Sequence, residues 1–426
     1  MMKNSMIGVL VLALFSLAGA AAEKEPGFFV IRGARIIPVV GEEIPAGMIL
    51  VRNGRIEAVG RSLAIPEGAE IIEAAGLSAY PGMIDSCTSL GLNEISNVAA
   101  TVDSSEIGRI NPQLRIADAL HMDSVHVPIA RASGITAAHV VPSGPFIAGQ
   151  SGIIRLNGRI VEDMIVKSPA FMRIYFQAAP QFIGGSMAPG GKPDDLAKEL
   201  KEILENARVY QKNKKASENN PAMTRPEFDE ALEFLLPVIN GQLSVMLDVG
   251  SEDEIKAAIK LVKEEKLNAI FFGAEEAWKT AKEIKEAGIP VILSNMYNFP
   301  SNWEDGYDAR YRLPAELQKA GVKFALASDK YLPPFCIDLP YQASKAAAFG
   351  LDKAEALKSV TIYPAEILGV ADIMGSLEPG KAANIVLADG DILDRRTQIK
   401  RVFIDGRSVD LSNKYTELLK KYEEKN

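Results

Sequence analysis

The 426-residue chain is poor in several things at once. It has only two cysteines, Cys87 and Cys336, and three histidines, His121, His126 and His139. Two cysteines allow one disulfide at most, so no disulfide framework holds this chain together. Positive charge is scarce: Lys and Arg number 47 against 55 acidic residues, for a net charge of -8. No basic face is available to neutralise phosphates, which argues against nucleic acid as a partner. After the first residues no apolar run approaches the ~20 residues of a spanning helix. Ready-made catalytic motifs are missing too. There is no G-x-S-x-G elbow, no phosphate-binding P-loop, no H-E-x-x-H, and no G-x-G-x-x-G after a predicted strand. What remains is the composition of a globular protein, 47% hydrophobic and 24% charged, long enough for one large domain and a smaller one.

The N-terminus reads as a processing signal. Lys3 precedes an apolar run from Met6 to Ala18, and Ala20-Ala21-Ala22 fits an A-x-A cleavage site. Residues 1–22 are therefore expected to be a signal peptide, leaving a periplasmic or secreted protein with no membrane attachment after cleavage. Such a compartment is oxidising, which bears on the two cysteines.

Both ends of the remaining chain read as β-structure. Phe28–Arg32, Met48–Arg52 and Arg55–Val59 are short apolar or β-branched runs, and Asn53-Gly54 between the last two is a hairpin signal. Asn384–Ala388 and Val402–Ile404 repeat the pattern near the end, so residues 27–80 and 365–410 are expected to form one small composite β-sandwich domain. The middle, 81–364, alternates apolar runs with helical stretches. Candidate strands are Met83–Cys87, Ile135–Val141, Gly152–Leu156, Met172–Phe176, Leu243–Asp248, Asn268–Phe272, Pro290–Ser294 and Val322–Ala327. Continuous apolar runs suit a parallel sheet covered on both faces. Ser251–Lys266 carries a capping box, Ser251 with Glu254, and Ala274–Glu286 is the next expected helix. Eight strand–helix repeats predict an α/β fold of the TIM type, a (β/α)8 barrel. Residues 411–426 read as a polar C-terminal helix. Ser143, Ser151 and Ser328 fall near strand ends with no histidine base beside them in sequence, and read as turn or capping residues.

The stretch Pro81-Gly82-Met83-Ile84-Asp85-Ser86-Cys87-Thr88-Ser89 resembles the first barrel strand of the amidohydrolase superfamily, usually read P-G-L-I-D-x-H-x-H. Arg131-Ala132-Ser133-Gly134-Ile135-Thr136, Gly149-Gln150-Ser151-Gly152 and the closing run from Thr361 to Lys381 extend the likeness to the imidazolonepropionase-like secreted branch. The resemblance implies metal-assisted hydrolysis of C–N bonds at the C-terminal end of the barrel, with one or two divalent cations such as zinc. Carried over residue by residue, it puts Cys87 and Ser89 at the two histidine positions of the first strand. Leu247 and Phe272 take the histidine positions of strands five and six, and Asp329 takes the aspartate position after strand eight.

Residues i and i+2 of a strand face the same way, so positions 87 and 89 point together into the barrel. A catalytic zinc needs about three protein ligands, and leucine and phenylalanine offer none. The expectation is therefore a degenerate site. It has no metal cofactor, retains Asp329 as the catalytic-type carboxylate, and has Cys87, Ser89, His139, Leu247 and Phe272 lining a ligand pocket. His139 alone of the histidines is placed to face the barrel; its plainer reading is a hydrogen-bonded core residue. A small molecule, a second copy of the chain, or an active homologue are the partners this implies. Strands one and eight are neighbours in a closed barrel, so a Cys87–Cys336 disulfide is one open pairing and two free thiols the other.

Overall fold

The computed structural model describes residues 27–177, 181–183, 186–188, 191–220, 222–294, 296–300, 302–328 and 333–424. Its strands in chain order are β1 (Phe29–Ile36), β2 (Ile44–Arg52), β3 (Arg55–Gly60), β4 (Glu70–Glu73), β5 (Ser78–Pro81), β6 (Met83–Thr88), β7 (Ile135–Val140), β8 (Ile147–Gln150), β9 (Gly152–Arg155) and β10 (Ile165–Lys167). They continue as β11 (Phe171–Tyr175), β12 (Gln181–Ile183), β13 (Ser186–Ala188), β14 (Ser244–Val249), β15 (Ala269–Gly273), β16 (Val291–Leu293), β17 (Phe324–Leu326), β18 (Ile385–Ala388), β19 (Ile399–Ile404) and β20 (Arg407–Ser408). The result is an α/β fold with mixed sheets.

One eight-stranded sheet takes strands from both ends of the chain in the order β20-β19-β18-β5-β1-β2-β3, with β4 on β1. Alternation drives it: Ile31, Ile49 and Val51 face one cluster with Phe403, while Val30, Met48 and Leu50 face another. Phe29 stacks on Phe403 at 4.8 Å. The β2–β3 turn is the predicted hairpin, with Asn53 at φ 51° and Gly54 at φ 77°, as a type I′ turn requires.

The middle of the chain builds two more sheets. β11, β14, β15, β16 and β17 run parallel in a six-stranded sheet whose far edge is the antiparallel β8; β6 and β7 run parallel in a four-stranded sheet completed by β9 and β10. The Ser86 hydroxyl donates to the Leu326 carbonyl at 2.5 Å, laying β6 against β17. The run Gly152–Leu156, expected as a parallel strand, forms β9, which runs antiparallel to β7. A parallel return needs a crossover of a dozen or more residues, and the 141–151 connection already contains β8.

The helix Glu252–Glu265 has its predicted capping box and packs on β14; its Ile255, Ala258 and Ile259 share one buried cluster with Val245 and Leu247. The helix expected from Ala274 starts later, at Ala281. Ala274 sits at φ 44° and its N–H is drawn to the Val249 carbonyl at 2.6 Å, a conformation that cannot begin a helix. A polar helix, Lys414–Glu423, closes the described chain.

Candidate active site

The strand ends of β6, β11, β14 and β15 converge on one buried group. Arg173 of β11 is 1% exposed, and its Nε and Nη2 donate to the two carboxylate oxygens of Asp248 at 3.1 and 2.8 Å. Its Nη1 donates to the Pro142 carbonyl at 2.8 Å. The guanidinium lies 4.6 Å from the Tyr175 ring centroid and 5.4 Å from that of Phe272. Sheet register explains the meeting. Tyr175 pairs with Asp248 and Asp248 with Phe272, so the three stand in one row at the ends of adjacent strands. Burial opposes the charge on Arg173, but the Asp248 carboxylate holds it protonated well above its ordinary range, and the nearby Cys87 thiol adds in the same sense.

That row corrects the Leu247 expectation. Leu247 belongs to the cluster between the strands and the helices, whereas Met246 and Phe272 face the inner cluster with Ile84, Cys87, Ala137 and Ile292. Side chains alternate along a strand, so the inward residue at this level of β14 is Asp248, one position on. Phe272 faces inward as expected. Cys87 is fully buried at the end of β6. Ser89 follows it, 4% exposed, and its hydroxyl has no hydrogen-bond partner among the described residues.

His139 is a core residue. Its Nδ1–H donates to the Ser86 carbonyl at 2.8 Å, and its Nε2 accepts the Ser151 hydroxyl at 2.7 Å. Its ring meets Phe171 edge-on at 5.4 Å. Burial, with the Arg173 and Lys167 charges, lowers its pKa to about 3, against the pull of the Ser86 hydrogen bond. The imidazole is neutral and both nitrogens are engaged. Ser151 thus does have a histidine beside it, brought there by the β7–β9 pairing, but both side chains are fully buried and the Ser151 oxygen also accepts the Phe171 N–H at 3.1 Å. The pair ties strands together and is closed to solvent.

Sequence reading missed two carboxylates. Asp248 is one. Asp85 is the other: it accepts the Ser328 N–H at 3.0 Å, the Ser328 hydroxyl, and a long contact from the Cys87 N–H at 3.4 Å. It therefore anchors β6 to the segment after β17. The available signal was a charge inside an apolar run: Arg173 within Met172–Phe176 and Asp248 ending Leu243–Asp248. A buried strand carries such residues only when they are paired. Cys87 and Cys336 are both free, buried thiols. Burial pushes the Cys336 thiol up, and the Asp85 charge pushes it further. Asp329 lies outside the described residues, as does the 1–22 segment.

The matching family model is "Amidohydrolase family", over residues 126–409. The chain belongs to the amidohydrolase family. It is 23% identical to an imidazolonepropionase of Mesorhizobium japonicum, over 81% of this chain and 87% of that protein. An adenine deaminase of Moorella thermoacetica is 23% identical over 92% of this chain. Two of the sequence relatives are longer proteins, of which this chain spans 39% and 59%. Among solved structures, an amidohydrolase from Thermotoga maritima superimposes with a TM-score of 0.80 at 26% identity, covering 90% of this chain and 99% of that one.

These likenesses overturn the expectation of no cofactor. An adenosine deaminase of Xanthomonas campestris that shares the fold (TM-score 0.51, 15% identity, 94% of this chain and 98% of that one) has zinc bound, and the family points to a divalent metal. The described strand ends do not fit such an ion. They present a buried thiol, a hydroxyl, an imidazole with no free nitrogen, a phenyl ring and two carboxylates already engaged, Asp248 by Arg173 and Asp85 by Ser328. Among the described residues no three His, Cys, Asp or Glu side chains come together in a ligand geometry.

Proposed function

We propose that this chain is an altered-site member of its family. Its strands would close into a (β/α)8 barrel with a composite β-sandwich, and the inner end of that barrel would bind a small ligand. The observation that carries this reading is the Arg173–Asp248 pair, which puts a fixed guanidinium at the strand ends. The buried Ser89 hydroxyl with no partner among the described residues supports it, since a buried polar atom calls for a hydrogen bond. A ligand carbonyl or carboxylate accepting from Ser89 answers that need. A divalent cation, if carried as in the zinc-bearing relative, takes ligands outside the described residues, Asp329 among the candidates. The Lys3 start and the Met6–Ala18 apolar run support export to the periplasm or exterior. Association with a second copy or an active homologue belongs to the same reading.

A second reading, a working hydrolase of C–N bonds in cyclic amides or dipeptide-like substrates, is favoured by the deaminase and imidazolonepropionase relatives. The two separate in one experiment: metal analysis of the purified protein, with turnover of such substrates measured before and after chelation. Our reading expects ligand binding without chelator-sensitive turnover. Hydrolysis abolished by chelator and restored by zinc establishes the second reading and overturns ours.

A further inference from the structure

A cavity of about 840 Å³ lies away from the candidate site, between the β2–β3 and β19–β20 turns and the loop after β9. Four arginines line it: Arg55, Arg155, Arg159 and Arg407. They come from three separate stretches of sequence and meet because the two turns abut. A Cβ on Gly406 would stand 2.8 Å from the Gly54 Cα, and that close approach sets Arg55 and Arg407 on one rim. Arg155 pairs with Ala137 near the start of β7, whereas His139 lies further along β7, toward the candidate site. The cavity is therefore at the other end of that strand.

Charge pairing inside the cavity is incomplete. Asp405 is taken by Arg155 at 2.6 Å. The Asp163 carboxylate accepts the Arg159 backbone N–H at 3.1 Å. Arg55 spends one N–H on the Gly380 carbonyl at 2.7 Å, and the Arg155 Nε is buried without a hydrogen-bond partner. Among the described residues Arg55, Arg159 and Arg407 have no carboxylate partner, and Glu162 is the one lining acid without a bond of its own. Four guanidiniums face three carboxylates on a chain whose net charge is -8. A guanidinium presents a planar fork of donors that fits phosphate and carboxylate oxygens two at a time. The volume suits a small molecule.

We propose that this cavity is a binding site for a small polyvalent oxyanion, a phosphate ester or a di- or tricarboxylate, separate from the candidate active site. Calorimetric titration of the full chain with pyrophosphate, and separately with citrate, tests it. One-to-one binding of either is expected, and the anion that binds assigns the class. In Arg159→Gln/Arg407→Gln the affinity should fall about tenfold or more, the loss of one charge-assisted contact or better. Both substituted side chains are exposed, and the two single variants take the place of the pair if it does not fold. Arg396→Gln, at an 89% exposed ion pair elsewhere, should bind as the unaltered protein does. No heat with either anion at about 10 mM, some hundredfold above the tens-of-micromolar Kd such contacts give, overturns the proposal. Affinity unchanged in the Arg159/Arg407 variants, or lowered equally in Arg396→Gln, overturns it as well.

Discussion

Removing the guanidinium of Arg173 is the sharpest perturbation the structure offers. Arg173→Met keeps most of the side-chain volume but deletes the two N–H···O bonds to Asp248, at 3.1 and 2.8 Å, and the bond to Pro142 at 2.8 Å. It removes the guanidinium from beside a carboxylate that is 0% exposed. With an effective dielectric of about 20, two unit charges ~4 Å apart attract by about 4 kcal/mol. Breaking a buried pair from one side is expected to destabilise by about 3–5 kcal/mol. Asp248→Leu should cost about as much, since it leaves the guanidinium buried. The double variant should be far milder, because an apolar pair of similar shape replaces a buried ion pair at little net loss. Arg173→Lys retains charge but loses the planar fork, and should fall between. Urea denaturation followed by far-ultraviolet circular dichroism, run as a double-mutant cycle, reads the coupling directly. A cost under about 1 kcal/mol for each single change, or simple additivity in the double variant, refutes the assignment of this pair as the organising charge of the site.

The two cysteines should titrate as two thiols per chain in denatured, unreduced protein and react slowly in the native state, because both are buried; zero thiols would establish the disulfide instead. Stability should decline as pH falls from about 6.5 through 5. The His139 pKa drops from 6.5 unfolded to about 3 folded, so the unfolded chain takes up the proton first, at about 1.4 kcal/mol per pH unit once fully engaged. His139→Gln should flatten that part of the profile in denaturation curves between pH 7 and 5, and an unchanged slope contradicts the buried neutral imidazole. Gly149→Ala should destabilise by roughly 2 kcal/mol or more. The backbone there is at φ 126°, and a Cβ would stand 2.6 Å from the Leu114 carbonyl oxygen; a melting temperature equal to that of the unaltered protein refutes this.

Local features of the chain were legible because short-range chemistry sets them. Asn53-Gly54 makes its turn, Ser251 and Glu254 make their cap, and the apolar runs become strands wherever a covered sheet rewards them. The first-strand motif and the closing run from Thr361 carried the family. The facing of Leu247 was not legible: an apolar run of this kind carries no phase, and only pairing with β11 and β15 decided that Asp248 points inward. The direction of Gly152–Arg155 was also hidden, since the run itself is the same whether its neighbour is parallel or antiparallel.

The sequence by itself carried the likeness to the amidohydrolase family, to which the chain belongs, and the expectation that Cys87 and Ser89 take the histidine positions of its first strand. Only the tertiary structure decided what stands there instead. Arg173 and Asp248 lie 75 residues apart, and their charges become a site only when the pairing of β11 with β14 sets Arg173 opposite Met246, two residues short of Asp248 on the same face, and burial removes water from both.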